Sequence, residues 1–298
     1  MPFAAVPRLR QGDPVAVVAP AGPFERDVFA RGVAVLQKRY QTLFDDGLFE
    51  KDRYLAGNDA RRLAEFRRGW EDDRLKAVFA ARGGYGAMRL LPQLRFDAAK
   101  TKPLVGFSDL TAVHCALQVA GVRSLHAAVV TQLGRQQPEA QQRLFDLLES
   151  PKPPEPLHAK EMLVPGSVEG PLLGGNLSVL TRLLGTPFMP SLKGAVLLLE
   201  DVGERPYRLD RMWTHLKLAG VFNQVAGLAL GTFSGCEEKG ADYTSTQVLA
   251  DLARDTGLPC ALGFPVGHED DNQPVPLGAK VRLDASMLKL EFLEGLVE

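Results

Sequence analysis

The stretch LVGFSDLTAVHCAL at 104–117 decides how the first half of the chain is read. Leu104 to Phe107 is an apolar run with the length of a buried strand, and it stops at Ser108. Leu110, Val113 and Leu117 then return at helical spacing. A strand that feeds a helix through so short a turn is half of a βα unit, and the same pairing recurs upstream. VAVVA at 15–19 leads through the turn Pro20-Ala21-Gly22-Pro23 into a helix with Val28, Phe29, Val33 and Leu36 on one face. A helix capped at Asn58 or Asp59 runs to about Trp70 and precedes a second buried strand, Lys76 to Ala80, which ends at Arg82-Gly83-Gly84-Tyr85-Gly86. This alternation predicts an α/β fold around a parallel sheet.

Downstream the composition changes. SPKPPEPLHAKEMLVPGSVEGP at 150–171 is rich in proline, which removes backbone donors, so regular structure is expected to lapse there. The expected division is an N-terminal domain at 1–150, a Pro-rich linker at 151–170 and a C-terminal mixed β/α domain at 171–298. In the last part, a helix starts near Asn176. Strand Ala195 to Leu199, helix Arg208 to Ala219, strand Val225 to Leu230 and helix Thr244 to Asp255 follow, and short strands at Val281–Leu283 and Leu288–Phe292 close the chain.

Bulk properties narrow the function classes. At 298 residues the chain can bury a substantial core. A net charge of −1 with mixed signs leaves no basic stripe for nucleic acid, and Arg61-Arg62 with Arg67-Arg68 read as a solvated helix face. The longest apolar runs, such as Gly194 to Leu199, are too short to cross a membrane. The N-terminus lacks the apolar core of a secretory signal, so the cytoplasm is the expected compartment. Cys115, Cys236 and Cys260 are an odd number without CxxC spacing and are expected to be reduced thiols. No HExxH, P-loop or paired Cys/His set is present and RGGYG lacks GxGxxG spacing, so no metal or cofactor is expected.

Ligands on open α/β sheets gather beyond the carboxyl ends of strands. Polar or glycine-rich residues occupy such places at Arg82–Gly86, Gly106–Asp109, Glu200-Asp201 and Gly267-His268. Ser108 has the location of a nucleophile on a sharp strand-to-helix turn, and equally that of an ordinary N-cap. Asp109 can cap the helix itself and leave the serine free. A serine nucleophile needs a base. His158 lies in the proline tract, and His114 and His215 lie within predicted helices. His268, in the loop FPVGHEDDNQPVPLG, stands where side chains are placed rather than packed, although a solvated loop histidine reads the same way. His126 is the rival base. Glu200 ends the apolar strand AVLLLE, where a buried acid needs a partner, and Asp201 should face the other way. The glycines of RGGYG offer clustered N–H groups for an oxyanion or a carboxylate.

Taken together, seven ordered segments resemble the LD-carboxypeptidase family of serine peptidases, which includes the microcin C immunity peptidases. They are VVAPAGPF at 17–24, YLAGNDARRLAEF at 54–66, ARGGYGAMRLLP at 81–92, GFSDLTAVH at 106–114, GPLLGGNLSVL at 170–180, LLEDVGERPYRLDRM at 198–212 and FPVGHEDDNQPVPLG at 264–278. The resemblance implies a flavodoxin-like N-terminal domain, a C-terminal β/α domain and a site in the cleft between them, usually in a homodimer, with domain closure able to assemble the site. It implies Ser108 as nucleophile, Glu200 as acid and His268 as base. Gly83, Gly84 and Asp109 would hold the oxyanion, and Arg82 or Arg211 the substrate carboxylate. The implied substrate is a small peptide or muropeptide, cleaved at the bond between meso-diaminopimelate and terminal D-alanine. A peptidyl nucleotide is the alternative substrate, and a cleft-binding module without catalysis the alternative of another class. Two segments depart from the family pattern: Glu269 follows the histidine where a small residue is usual, and Gln41–Lys51 is unlike the usual second strand.

Overall fold

The computed structural model describes residues 3–298. Five short strands form a parallel sheet: β1 (Pro14–Val18), β2 (Gln41–Leu43), β3 (Val78–Ala80), β4 (Leu104–Gly106) and β5 (Ser124–His126). Helices α1 (Arg26–Leu36), α2 (Asp59–Glu71), α3 (Thr111–Val119), α4 (Val130–Leu133) and α5 (Pro138–Glu149) connect and follow them. Apart from edge strand β2, these strands are buried almost throughout, which is why their sequences run apolar without alternation. Asn58 caps α2 by accepting from the Arg61 N–H. The divergent tract after Gln41 still supplies an edge strand, with Gln41 opposite Pro14.

A second sheet of eight strands has the order β6-β14-β13-β8-β9-β10-β11-β7. It comprises β6 (Leu157–His158), β7 (Glu161–Val164), β8 (Ser167–Asn176), β9 (Val196–Val202), β10 (Gly227–Ser234), β11 (Cys260–Leu262), β13 (Lys280–Asp284) and β14 (Lys289–Phe292). The central four, β8 to β11, are parallel, and α6 (Leu177–Thr181), α7 (Pro206–Leu218) and α8 (Ser245–Arg254) accompany them. Successive β9 residues enter different cores. Leu197 and Leu199 pack with α7 and the first sheet's layers, while Val196 and Leu198 pack with Leu172, Val281 and Phe292.

Three expectations change. The proline tract is not structureless: its prolines at 151, 153, 154 and 156 precede β6, Pro165 separates β7 from β8 and Pro171 alone lies inside a strand, β8, so most of the donors they remove belong to connections. Arg62 does not share a solvated face with Arg67 and Arg68: it is fully buried and its guanidinium donates to the Pro20 carbonyl and to Asp59. The two halves also interlock. Strand β12 (Val275–Leu277) leaves the C-terminal half and pairs antiparallel with β5, Val275 opposite His126, as the outer strand of the first sheet. Val6 bridges Val297, and Arg123 donates to the Gly295 carbonyl at 2.9 Å. Movement of the halves as rigid bodies would have to break these pairings.

Candidate active site

Strand β4 stops at Gly106, and Ser108 takes φ +62°, the left-handed region that a non-glycine residue enters at a cost. One tight turn, Ser108–Leu110, then becomes α3. Asp109 does not cap this helix. Its carboxylate, 3% exposed, accepts the Ala87 N–H at 2.7 Å, and burial pushes its pKa up to about 6. Asp109 therefore ties the Ser108 turn to the end of the RGGYG segment.

That segment lies directly on Ser108. A Cβ at Gly83 would come within 2.9 Å of Ser108 Cβ and 3.0 Å of its Oγ, so only glycine permits this approach. The Gly83 carbonyl accepts the Gly22 N–H at 2.9 Å, which docks the first βα turn beside it. Buried Arg62 supports both turns, since it donates to Pro20 and a Cβ at Gly86 would lie 2.6 Å from its Nη1.

On the opposite wall, Glu200 in β9 is wholly buried and its Oε2 lies 2.7 Å from His268 Nδ1. Its other oxygen, Oε1, has no partner among the described residues. Gly267 brings the histidine this close: at φ +141° a Cβ there would meet Thr232 Oγ1 at 2.3 Å and Glu200 Oε2 at 3.2 Å. The His268 ring lies 4.6 Å from the Phe107 ring, beside the Ser108 turn. Asp201 faces the other way, as expected, accepting Asn176 Nδ2 at 3.0 Å and the Ser178 N–H at 2.8 Å. Burial, then the neighbouring Glu200, pushes its pKa up to about 6.

Ser108 and His268 line one cleft of about 510 Å³, together with Gly83, Gly84, Phe24 and two cationic side chains, Arg82 and Arg135. A hydroxyl at a strained turn, an imidazole held at Nδ1 by a buried carboxylate and a glycine backbone packed against the serine are the parts that acyl transfer requires. Arg82 donates to the Pro23 carbonyl at the rim. Arg211 is not part of the cleft lining, and its guanidinium lies 5.6 Å from the Tyr207 ring. Glu269 accepts from Ser234 Oγ and lines a separate concavity with Glu161, Glu237, Asp270 and Asp271 rather than the Ser108 cleft.

The rival histidine does not reach the cleft. His126 is fully buried behind Phe107 with no partner for either ring nitrogen among the described residues, and burial pushes its pKa down to about 3. His114 is held between Ser124 Oγ and the Gly106 carbonyl, each at 2.8 Å. Sequence reasoning placed Arg62 on a solvated face and did not single out Gln136 or Asn272, both of which are buried. Only Arg62 left a local signal, because it precedes Phe66 by one helical turn on the apolar face of α2.

Comparison with known proteins bears on this arrangement. Residues 15–127 match the LD-carboxypeptidase N-terminal domain and residues 169–283 the LD-carboxypeptidase C-terminal domain. A Synechocystis sp. protein whose name gives carboxypeptidase and no substrate is 37% identical over 290 residues, covering 96% of each chain. The crystal structure of muramoyltetrapeptide carboxypeptidase from Oxalobacter formigenes superposes with a TM-score of 0.85 at 30% identity, over 95% of this chain and 98% of that one. The microcin C7 self-immunity protein of Escherichia coli is 27% identical over 312 residues, 93% of this chain and 91% of that protein. On two matching domains and these full-length similarities, the chain belongs to the LD-carboxypeptidase family.

Proposed function

We propose that the chain is a serine carboxypeptidase that removes terminal D-alanine from cell-wall tetrapeptides, with Ser108 as nucleophile, His268 as base and Glu200 as the acid that orients it. The observation that carries the reading is the 2.7 Å contact between His268 Nδ1 and buried Glu200, placed in the same cleft as Ser108. Held there, the imidazole keeps its proton on Nδ1 and offers Nε2 as the base. His268 takes the Ser108 proton as Oγ attacks the amide carbonyl carbon. The carbonyl oxygen becomes an oxyanion held by the N–H groups of Asp109 and the Gly83-Gly84 turn. Collapse breaks the C–N bond, His268 gives its proton to the departing D-alanine amine, and an ester on Ser108 remains. Water, deprotonated by His268, cleaves the ester and restores Ser108. Arg82 is the cation assigned to the substrate carboxylate.

The substrate class rests on the likeness to the muramoyltetrapeptide carboxypeptidase. A cytoplasmic homodimer acting in murein recycling belongs to the same reading. The test is mass-spectrometric detection of D-alanine released from a meso-diaminopimelate tetrapeptide by the native protein and by Ser108→Ala. Release by the native protein alone supports the reading. Absence of release, with hydrolysis of an aminoacyl sulfamoyl adenosine instead, would transfer the same three residues to a peptidyl-nucleotide substrate, and binding of either without turnover would mean a catalytically inactive cleft.

A further inference from the structure

The loop that carries His268 is suspended between the two sheets. At its start, the Val266 carbonyl accepts the Thr232 N–H on β10 at 2.9 Å, next to Glu200. At its end, Val275 enters β12 and pairs with β5, which lies beside β4, the strand that delivers Ser108. The distance from base to nucleophile therefore depends on how residues 267–274 are held between these anchors. Nothing in the local sequence around His268 or Ser108 sets that distance.

Two buried amides hold it. Asn272, 1% exposed, accepts the Gly267 N–H on Oδ1 at 3.0 Å, at the residue that precedes His268. Its own N–H donates to Gln136 Oε1 at 3.2 Å. Gln136 is 6% exposed and sits in the connection from α4 to α5, where its carbonyl accepts from Gln141 Nε2 at 3.0 Å. The Gln273 N–H closes the same loop on the Pro265 carbonyl at 2.7 Å. Arg135 and Asp270 meet across the seam at 3.3 Å, but both are exposed, so this ion pair adds little. Neither Asn272 nor Gln136 lines the cleft.

We propose that Asn272 and Gln136 are positioning residues that fasten the His268 turn to the Ser108 half and so set the proton-transfer distance. The proposal rests on the assignment of Ser108 and His268 as nucleophile and base. If either acceptor is lost, a buried N–H is left unpaired and the loop relieves it by shifting. A displacement of about 1 Å in a catalytic group can cost on the order of 10²-fold in rate. Because neither amide faces the substrate, the loss should fall on kcat and spare KM.

The experiment compares Asn272→Leu and Gln136→Met, which keep volume and lose the acceptor, with Asn272→Asp and Gln136→Glu, which keep an acceptor oxygen. D-alanine release gives kcat and KM. The rate of fluorophosphonate labelling at Ser108, followed by intact mass, reports nucleophile activation without reference to any peptide. Expected are a kcat about 10–100-fold lower for Asn272→Leu with KM within about twofold, a smaller loss for Gln136→Met, parallel slowing of labelling, and recovery of most of the rate in the acceptor-retaining variants. Native kcat and labelling in folded Asn272→Leu and Gln136→Met would overturn the proposal. If Asn272→Leu does not fold, Gln136→Met decides, because it breaks the same bridge from the other side. A native protein that neither labels nor releases D-alanine would overturn the Ser108–His268 assignment and this proposal with it, whereas an active native protein with unaffected variants overturns this proposal alone.

Discussion

The two walls of the cleft are built by different means. On the Ser108 wall the main chain does most of the placing, through a left-handed residue at 108 and a glycine at 83 that admits the serine within contact, and the Asp109 carboxylate adds a bond from the Ala87 N–H. On the His268 wall side chains do most of the placing, through Glu200, Asn272 and Gln136, contributed from separate parts of the chain, while Gly267 admits the turn against Thr232 and Glu200. A wall made of backbone is sensitive to added volume. A wall made of side-chain contacts is sensitive to lost partners, and its errors reach the reaction only through the histidine.

Substitution at the reacting atom tests the whole comparison and carries the largest effect. Ser108→Ala should remove about 10⁵–10⁶ of kcat, leaving only what oxyanion donors and binding supply. A variant that retains a tenth of native D-alanine release would show that the hydroxyl is not the nucleophile. On the opposite wall, Glu200→Gln keeps the shape of the acid and removes its charge, so the imidazolium formed during attack loses its counter-charge. A fall of about 10⁴-fold in kcat is expected, with KM little changed. Unchanged steady-state kinetics would make the 2.7 Å contact structural rather than functional.

Added volume probes the Ser108 wall. Gly83→Ala places a Cβ 2.9 Å from Ser108 Cβ, and the serine turn must give way. The expected cost is about 10–100-fold in kcat, with a melting temperature close to native because the strain falls at the rim of the cleft rather than in a core layer. Fluorophosphonate labelling should slow by the same factor. Slow labelling together with a large loss of melting temperature would mean that Gly83 serves packing instead.

The same division explains what could be read from the chain. The Ser108 wall was legible because it is local: a strand, a sharp turn and a helix within fourteen residues, and a glycine-rich turn at the end of another strand. Glu200 was legible because an acid closing an apolar run is costly without a partner. The clamp on His268 was not, since Asn272 and Gln136 lie 136 positions apart and nothing in either neighbourhood names the other. Strand β12 was hidden for the same reason: Val-Pro-Leu at 275–277 carries no mark of the sheet it joins. Asp109 misled because helix capping is the ordinary role for its position, whereas the Ala87 N–H that captures it belongs to a distant segment. The proline tract misled because composition was averaged over a span in which all the prolines but Pro171 fall before or between strands.

The smallest expected effect concerns the layer behind both walls, where buried ionisable groups oppose one another. His126 and His114 have pKa values pushed down to about 3 and about 4 by burial, so the folded protein keeps them neutral where the unfolded chain, below about 6.5, binds a proton at each. Their contribution is complete above that value and is lost as pH falls towards 4. Asp109 and Asp201, each raised to about 6, and Glu65, raised to about 7, act in the opposite sense, because the folded state holds a proton that the unfolded chain has already released. As pH falls from about 7 to about 4 the acids therefore favour the fold while the histidines oppose it. His126→Phe removes one opposing group and leaves an aromatic ring against Phe107. Lowering the pH from 7 to 5 should then cost the variant less melting temperature than the native protein. The difference is bounded by about 1.4 kcal/mol per pH unit below 6.5, or roughly 2–3 °C per kcal/mol for a chain of this size. Melting curves that shift in parallel with pH would show that His126 takes up protons equally in both states, and that the unpartnered ring behind Phe107 is less isolated from water than its burial indicates.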